Sequence, residues 1–239
     1  MRSRLNRRVG AEFFGTTFLV AAVVGSGIMG VRLAGGNVAL ALLANTIATG
    51  AALVALIIAF GPISGAHLNP VVTLMDTFEH GLPWSEAPYY IIAQITGGIA
   101  GTITANWMFG LPTISLSTHV RSGPAQVFSE FVATFGLVSV IWGASRFRPD
   151  SVPIAVGAYI TAAYWFTAST SFANPAVTIA RCLSDTFAGI RPIDVPLFVV
   201  AQLLGGFAAT LLFRWLSPAL QVRAKQLLVT REALTLDER

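Results

Sequence analysis

The sequence predicts an all-α membrane protein of six transmembrane helices and two re-entrant half-helices, arranged as an inverted three-plus-three repeat. Three observations predict it. The 239 residues are 54% hydrophobic and only 11% charged, with a mean hydropathy of +0.70, whereas soluble domains carry about a quarter charged residues. Two short apolar stretches begin with Asn-Pro. The two halves of the chain repeat one another in the same order.

The spans come first. Apolar segments fall at about 11–31, 38–60, 87–109, 126–145, 152–170 and 194–216, each near the roughly 20 residues that cross a hydrocarbon core as a helix. The start, "MRSRLNRR", resembles a signal-peptide n-region, and Gly25, Ser26 and Gly27 leave a cleavage reading open. The apolar run that follows is nevertheless long for an h-region of about 7 to 15 residues. Six spans put both termini on one side. Eleven of the fifteen Lys and Arg fall on that side, and Arg32, Arg121, Arg181 and Arg191 fall on the other. The positive-inside rule therefore places both termini in the cytoplasm. This clustering at the ends of apolar segments also argues against nucleic-acid binding. From about 217 onward the chain is polar and reads as a short cytoplasmic tail.

Two further apolar stretches, about 69–78 and 174–183, are too short to cross a membrane of about 30 Å. Proline suits the first turn of a helix, where its missing N–H costs nothing, and asparagine before it is a good N-cap. Each stretch is expected to be a half-helix starting at Asn69-Pro70 or Asn174-Pro175.

The halves correspond closely. "AEFFGTTFLV" at 11–20 echoes "SEFVATFGLV" at 129–138. "HLNPVVTLMD" at 67–76 echoes "FANPAVTIAR" at 172–181, and "AQITGGIAGT" at 93–102 echoes "AQLLGGFAAT" at 201–210. Repeats of about 10–110 and 126–216 thus form one domain over 1–216. Each holds three spans, an odd number, so the second copy is inverted. Inverted repeats with broken helices meeting at the midplane form a transport architecture.

With these motifs in view, the chain resembles the major intrinsic proteins, the aquaporins and aquaglyceroporins, over about residues 10 to 216. "SGAHLNPVVT" at 64–73 matches the family's first signature, and the second Asn-Pro triplet stands in register with the repeat. The resemblance implies an aquaporin-like fold and a passive channel with one pore per subunit of a homotetramer. It implies no cofactor and no catalysis.

The site residues follow. Asn69 and Asn174 offer side-chain N–H donors where each half-helix presents about half a positive charge. Two such ends facing one pore would donate to a solute oxygen and repel protons and cations. A simple N-cap is the alternative for each. Pro70, Val71, Pro175 and Ala176 complete the two triplets, and Val71 would narrow the centre slightly if it faces the pore. Glu12 and Glu130 lie deep in full spans, where a carboxylate marks function by default. They could relay protons in a coupled transporter, or accept hydrogen bonds from the non-helical backbone leading into each half-helix. The resemblance implies the second role, without direct contact to solute. It also implies that His67 lines the cytoplasmic mouth, although a lone histidine is commonly a satisfied structural residue.

In the family, four positions form an outer constriction. Carried onto this chain they are Thr49, Ala162, Ser171 and Val177, with Phe172 in question if "TSFAN" is one residue short. None of the four is aromatic, and the family's usual arginine is Val177. Such a ring would be wide and uncharged. Valine there resembles the arsenic-linked bacterial aquaglyceroporin-type channels. The implied solutes are water, glycerol and other polyols, urea and neutral metalloid hydroxides. Arg181, four residues beyond Val177, could stand in for the missing arginine, since i and i+4 share a helix face. Alternatively it snorkels outward and pairs with Asp185. Cys182 reads as a small buried side chain.

A secondary active transporter is the rival from another class, with Glu12 and Glu130 as proton-coupled carboxylates. An enzyme has less behind it: the sequence offers no nucleophile–base pair and no metal-ligand cluster beyond three scattered histidines.

Overall fold

The computed structural model describes residues 4–217, and the polar tail beyond 217 lies outside them. Eight α-helices account for most of this stretch: α1 Leu5–Leu33, α2 Val38–Ser64, α3 Pro70–Phe78, α4 Ala87–Met108, α5 Pro124–Phe147, α6 Val152–Phe166, α7 Pro175–Arg181 and α8 Val195–Leu216. Helices α1, α2, α5 and the stretch ending in α8 are long and apolar enough to cross a membrane. Helix α4 is diluted by Gln94, Thr96, Thr102, Thr104 and Asn106, and α6 has only 15 residues. Their places in the repeat mark these two as the remaining spans.

The repeat is plain in the packing. Helix α1 lies along α4 and α2, and α5 lies along α8 and α6, while α2 and α6 meet each other. Each half-helix packs on the last helix of both repeats, which draws α3 and α7 into the middle. Close approach of α1 to α4 depends on Gly97, where a Cβ would stand 2.3 Å from the Phe13 carbonyl oxygen. Gly205 does the same between α8 and α5, 2.4 Å from the Phe131 oxygen. Small residues at such crossings let helix backbones approach in membranes.

Ion pairs define one face of the bundle. Arg8, near the start of α1, binds Glu86 just before α4 at 2.7 Å. Glu79, at the end of α3, is held by Arg146 near the end of α5 and by Arg214 near the end of α8. The two ends of the described chain therefore lie on one face, here the terminal face. Loops 34–37, 109–123 and 182–194 cover the opposite face. From the second of these, Arg121 donates to the carbonyls of Gly189, in the third, and of Ser169 at 2.8 and 3.0 Å.

Candidate functional site

The two half-helices meet N-terminus to N-terminus. Asn69 caps α3 by accepting from the Val71 N–H at 2.9 Å, and its Nδ2 donates to the Ala173 carbonyl at 2.8 Å. Asn174 caps α7 through the N–H groups of Ala176 and Val177, and its Nδ2 donates to the Leu68 carbonyl at 2.7 Å. The exchange is reciprocal: each asparagine caps its own helix and ties down the carbonyl just before the other. Capping and pore-lining are thus one arrangement. One N–H of each primary amide is committed to that tie, which leaves the second available to a solute.

The irregular segments leading into the half-helices are strained in the same pattern. Gly65, Ala66 and Leu68 have positive φ, as do their counterparts Thr170, Ser171 and Ala173. For non-glycine residues this costs energy and persists only where surroundings enforce it. The buried glutamates do much of the enforcing. Glu12 accepts from Ser64 Oγ, the His67 and Leu68 N–H groups, and Gln94 Nε2, at 2.6 to 3.0 Å. Glu130 accepts from the Phe172 and Ala173 N–H groups and Gln202 Nε2, at 2.6 to 2.9 Å. Gln94 and Gln202 pass a second bond to Thr73 and Thr178 on the half-helices. Both glutamates are fully buried, and neither lines the cavity described next.

A cavity of about 410 Å³ runs from Asp76 and Leu82 near the terminal face, past Asn69 and Asn174, to Tyr164 and Arg181 near the opposite face. Its walls are largely apolar, with residues such as Leu19, Leu53 and Leu137. His67 lines the terminal-face end, with Nδ1 3.1 Å from Thr73 Oγ1 and Nε2 3.5 Å from an Asp76 oxygen.

Of the four carried positions, Thr49, Ser171 and Val177 line the cavity and Ala162 does not. Ala162 faces outward and is exposed. Helix α6 turns Val152, Val156, Ile160 and Tyr164 to the cavity instead, one residue per turn at spacing four. The Tyr164 hydroxyl donates to Thr49 Oγ1 at 3.3 Å. Phe172 is also on the wall, so both Ser171 and Phe172 of "TSFAN" border the cavity. Val71 does not face it. It is fully buried against Met75, Val138 and Ala209, and the cavity is lined by its neighbour Val72.

Arg181 departs most from the outward, paired reading. It is 1% exposed and lines the cavity. Its Nε donates to the Ala188 carbonyl, and its Cζ lies 3.4 Å from the centroid of the Phe172 ring. Asp185 instead accepts from the N–H and hydroxyl of Thr118 at 2.8 and 3.0 Å. The four counted positions hold neither an arginine nor an aromatic, yet the wall receives both from elsewhere. Cys182 is free and half-buried.

Two broken helices meeting inside a membrane bundle, with a cavity threading past their caps, define a passive membrane channel. The chain belongs to the major intrinsic protein family, whose model matches residues 1–167 and 144–236. It is 57% identical to the aquaglyceroporin AqpS of Rhizobium meliloti strain 1021 over 212 residues, covering 89% of this chain and 91% of that protein. It is 28% identical to a probable aquaporin, AqpM, of Archaeoglobus fulgidus, covering 91% of this chain and 99% of the relative. The fold matches the X-ray structure of the aquaglyceroporin from Plasmodium falciparum with a TM-score of 0.73 at 18% identity, over 92% of this chain and all of that one. Membership places the protein among channels for water and glycerol and not among enzymes, and gives the secondary-transporter reading no support.

Proposed function

We propose that residues 1–216 form one channel domain that passes small uncharged solutes down their gradients, and that its range extends from water and glycerol to other polyols, urea and neutral metalloid hydroxides. The observation that carries this reading is the 410 Å³ cavity passing between the caps of α3 and α7. Its largely apolar wall offers little to a hydrated ion. Its few donors converge where two helix N-termini add positive potential, which opposes cations and protons. Val177 in place of a guanidinium leaves room on one side of the outer end for solutes bulkier than glycerol. The metalloid part rests on resemblance to the arsenic-linked channels.

Assembly and orientation belong to the same proposal. The family resemblance implies a homotetramer, and exposed apolar side chains such as Ile47, Ile58, Phe128 and Ile154 suit lipid or a neighbouring copy. Eleven basic residues against four support cytoplasmic termini, and the similarity to AqpS supports a bacterial inner membrane. Shrink–reswell traces of proteoliposomes in glycerol, urea and arsenous acid test the solute range. Reswelling faster than in empty liposomes is expected for all three. Equal rates in glycerol and urea would refute it.

A further inference from the structure

The repeat sets an acid against a base. Asp76 and Arg181 close the aligned runs "HLNPVVTLMD" and "FANPAVTIAR", and each lines the cavity near one end. Asp76 is the one carboxylate among the described residues on that wall, and its side chain keeps 28% of its surface exposed. An acid near the C-terminus of α3 gains nothing from the helix, whose dipole favours a cation there. The turn after α3 closes on the carboxylate without a side chain of its own, since a Cβ at Gly81 would stand 2.1 Å from Asp76 Oδ1.

Hydrogen-bond accounting fixes the histidine beside it. Gln94 Nε2 gives one hydrogen to Glu12 and the other to Thr73 Oγ1, each at 2.8 Å. Thr73 is fully buried, and a buried hydroxyl needs an acceptor for its own hydrogen. Among the described residues, the acceptor it meets is His67 Nδ1, at 3.1 Å. In the neutral imidazole the proton is therefore on Nε2. That N–H stands 3.5 Å from Asp76 Oδ2, beyond the usual 2.7–3.2 Å. A donor and an acceptor thus lie side by side on the cavity wall without closing on each other.

We propose that His67 and Asp76 form a donor–acceptor pair that reads solute hydroxyls at the terminal-face mouth of the pore. One solute hydroxyl accepts from the Nε2–H and donates to the Asp76 carboxylate. Asp76 is then a specificity-determining residue, and Thr73 is a positioning residue that acts through the ring. The favoured solutes are neutral O–H donors, the class of polyols and metalloid hydroxides. A solute that only accepts hydrogen bonds leaves the carboxylate unpaired and is disfavoured. The inference rests on the channel reading above.

The test compares glycerol with dimethyl sulfoxide, which accepts hydrogen bonds and donates none, in proteoliposomes of the wild type, Asp76→Leu, Asp76→Asn and His67→Ala at matched reconstitution. After subtraction of the empty-liposome rate, the glycerol-to-sulfoxide ratio should fall about 10-fold in Asp76→Leu, in line with one hydrogen bond to a charged group. Asp76→Asn, which keeps an acceptor but loses the charge, and His67→Ala should each lower it about threefold. If Asp76→Leu does not fold, Asp76→Asn decides. Nitrogen-15 NMR of histidine-labelled protein, read as the difference from His67→Ala, should show a protonated Nε2 and a bare Nδ1; the opposite tautomer would overturn the pair. Ratios within about twofold of wild type in every folded variant would overturn it as well while leaving the channel intact. A wild type that moves water but not glycerol would also overturn it. A wild type that moves nothing would overturn the channel reading itself.

Discussion

Replacing Glu12 by glutamine should damage folding before it changes selectivity. The carboxylate accepts four hydrogen bonds, two on each oxygen: Ser64 Oγ and the His67 N–H on one, the Leu68 N–H and Gln94 Nε2 on the other. Glutamine keeps one acceptor oxygen and turns a donor N–H₂ toward the other pair. Ser64 can rotate to accept, and Gln94 can flip to present its Oε1, which has no partner in the present arrangement. A backbone N–H can do neither. Whichever way the new amide points, the His67 or the Leu68 N–H is orphaned, at a cost of about 1 to 3 kcal/mol. The surviving bonds also lose their charge assistance and roughly half their strength, so the total is about 2 to 5 kcal/mol. Glu130 accepts three bonds, with the Phe172 and Ala173 N–H groups on different oxygens, so Glu130→Gln orphans one of them in the same way and should cost about 2 to 4 kcal/mol. Thermal unfolding in detergent, read beside water flux per folded protein, checks both size and order. A Glu12→Gln protein as stable as wild type but without flux would refute the reasoning and favour a relay role.

Four further substitutions probe the cavity and the packing. Val177→Arg adds a second permanent cation one turn from Arg181, so the size cutoff should fall, larger polyols first and water last; an unchanged cutoff in a permeability series would mean that Val177 does not border the narrow part. Tyr164→Ala should raise flux of the bulkiest permeant solute severalfold, whereas Ala162→Val should leave the same flux assay unaltered; the reverse pattern would restore Ala162 to the pore. Gly97→Ala places a methyl group against the Phe13 carbonyl and should destabilise the α1–α4 contact by about 1 to 3 kcal/mol, seen as a lower midpoint in detergent unfolding; an unchanged midpoint would show that the helices part without cost.

Much of this was legible in the sequence, and the failures have physical causes. Asn-Pro fixed both half-helices almost to the residue, because cap and first-turn proline are local signals: starts at Pro70 and Pro175 follow directly. Hydropathy missed the first turns of α1, which begins at Leu5 and not near 11. Arg7 and Arg8 are polar there, and Arg8 is retained by Glu86, a partner 78 residues away. Helix α6 ends at Phe166 and not near 170, because Thr167–Thr170 peel away into the strained segment before α7. Counting back from Asn174 to Ala162 assumed a connection of the family's usual length. The alternative signal was present in the sequence, as the spacing of Val152, Val156, Ile160 and Tyr164 on one helix face. Arg181 needed coordinates: whether a long side chain reaches solvent or folds back onto a ring depends on Phe172 and Ala188, neither adjacent in sequence.

The central claim is that the 410 Å³ cavity is an open path for passive flow. Counterflow in proteoliposomes tests it most directly: labelled glycerol entry is measured with and without unlabelled glycerol inside, and with and without proton or sodium gradients. A passive channel gives an entry rate that rises linearly with concentration, does not overshoot, and ignores both gradients. Saturable, trans-stimulated entry driven by either ion would contradict the account.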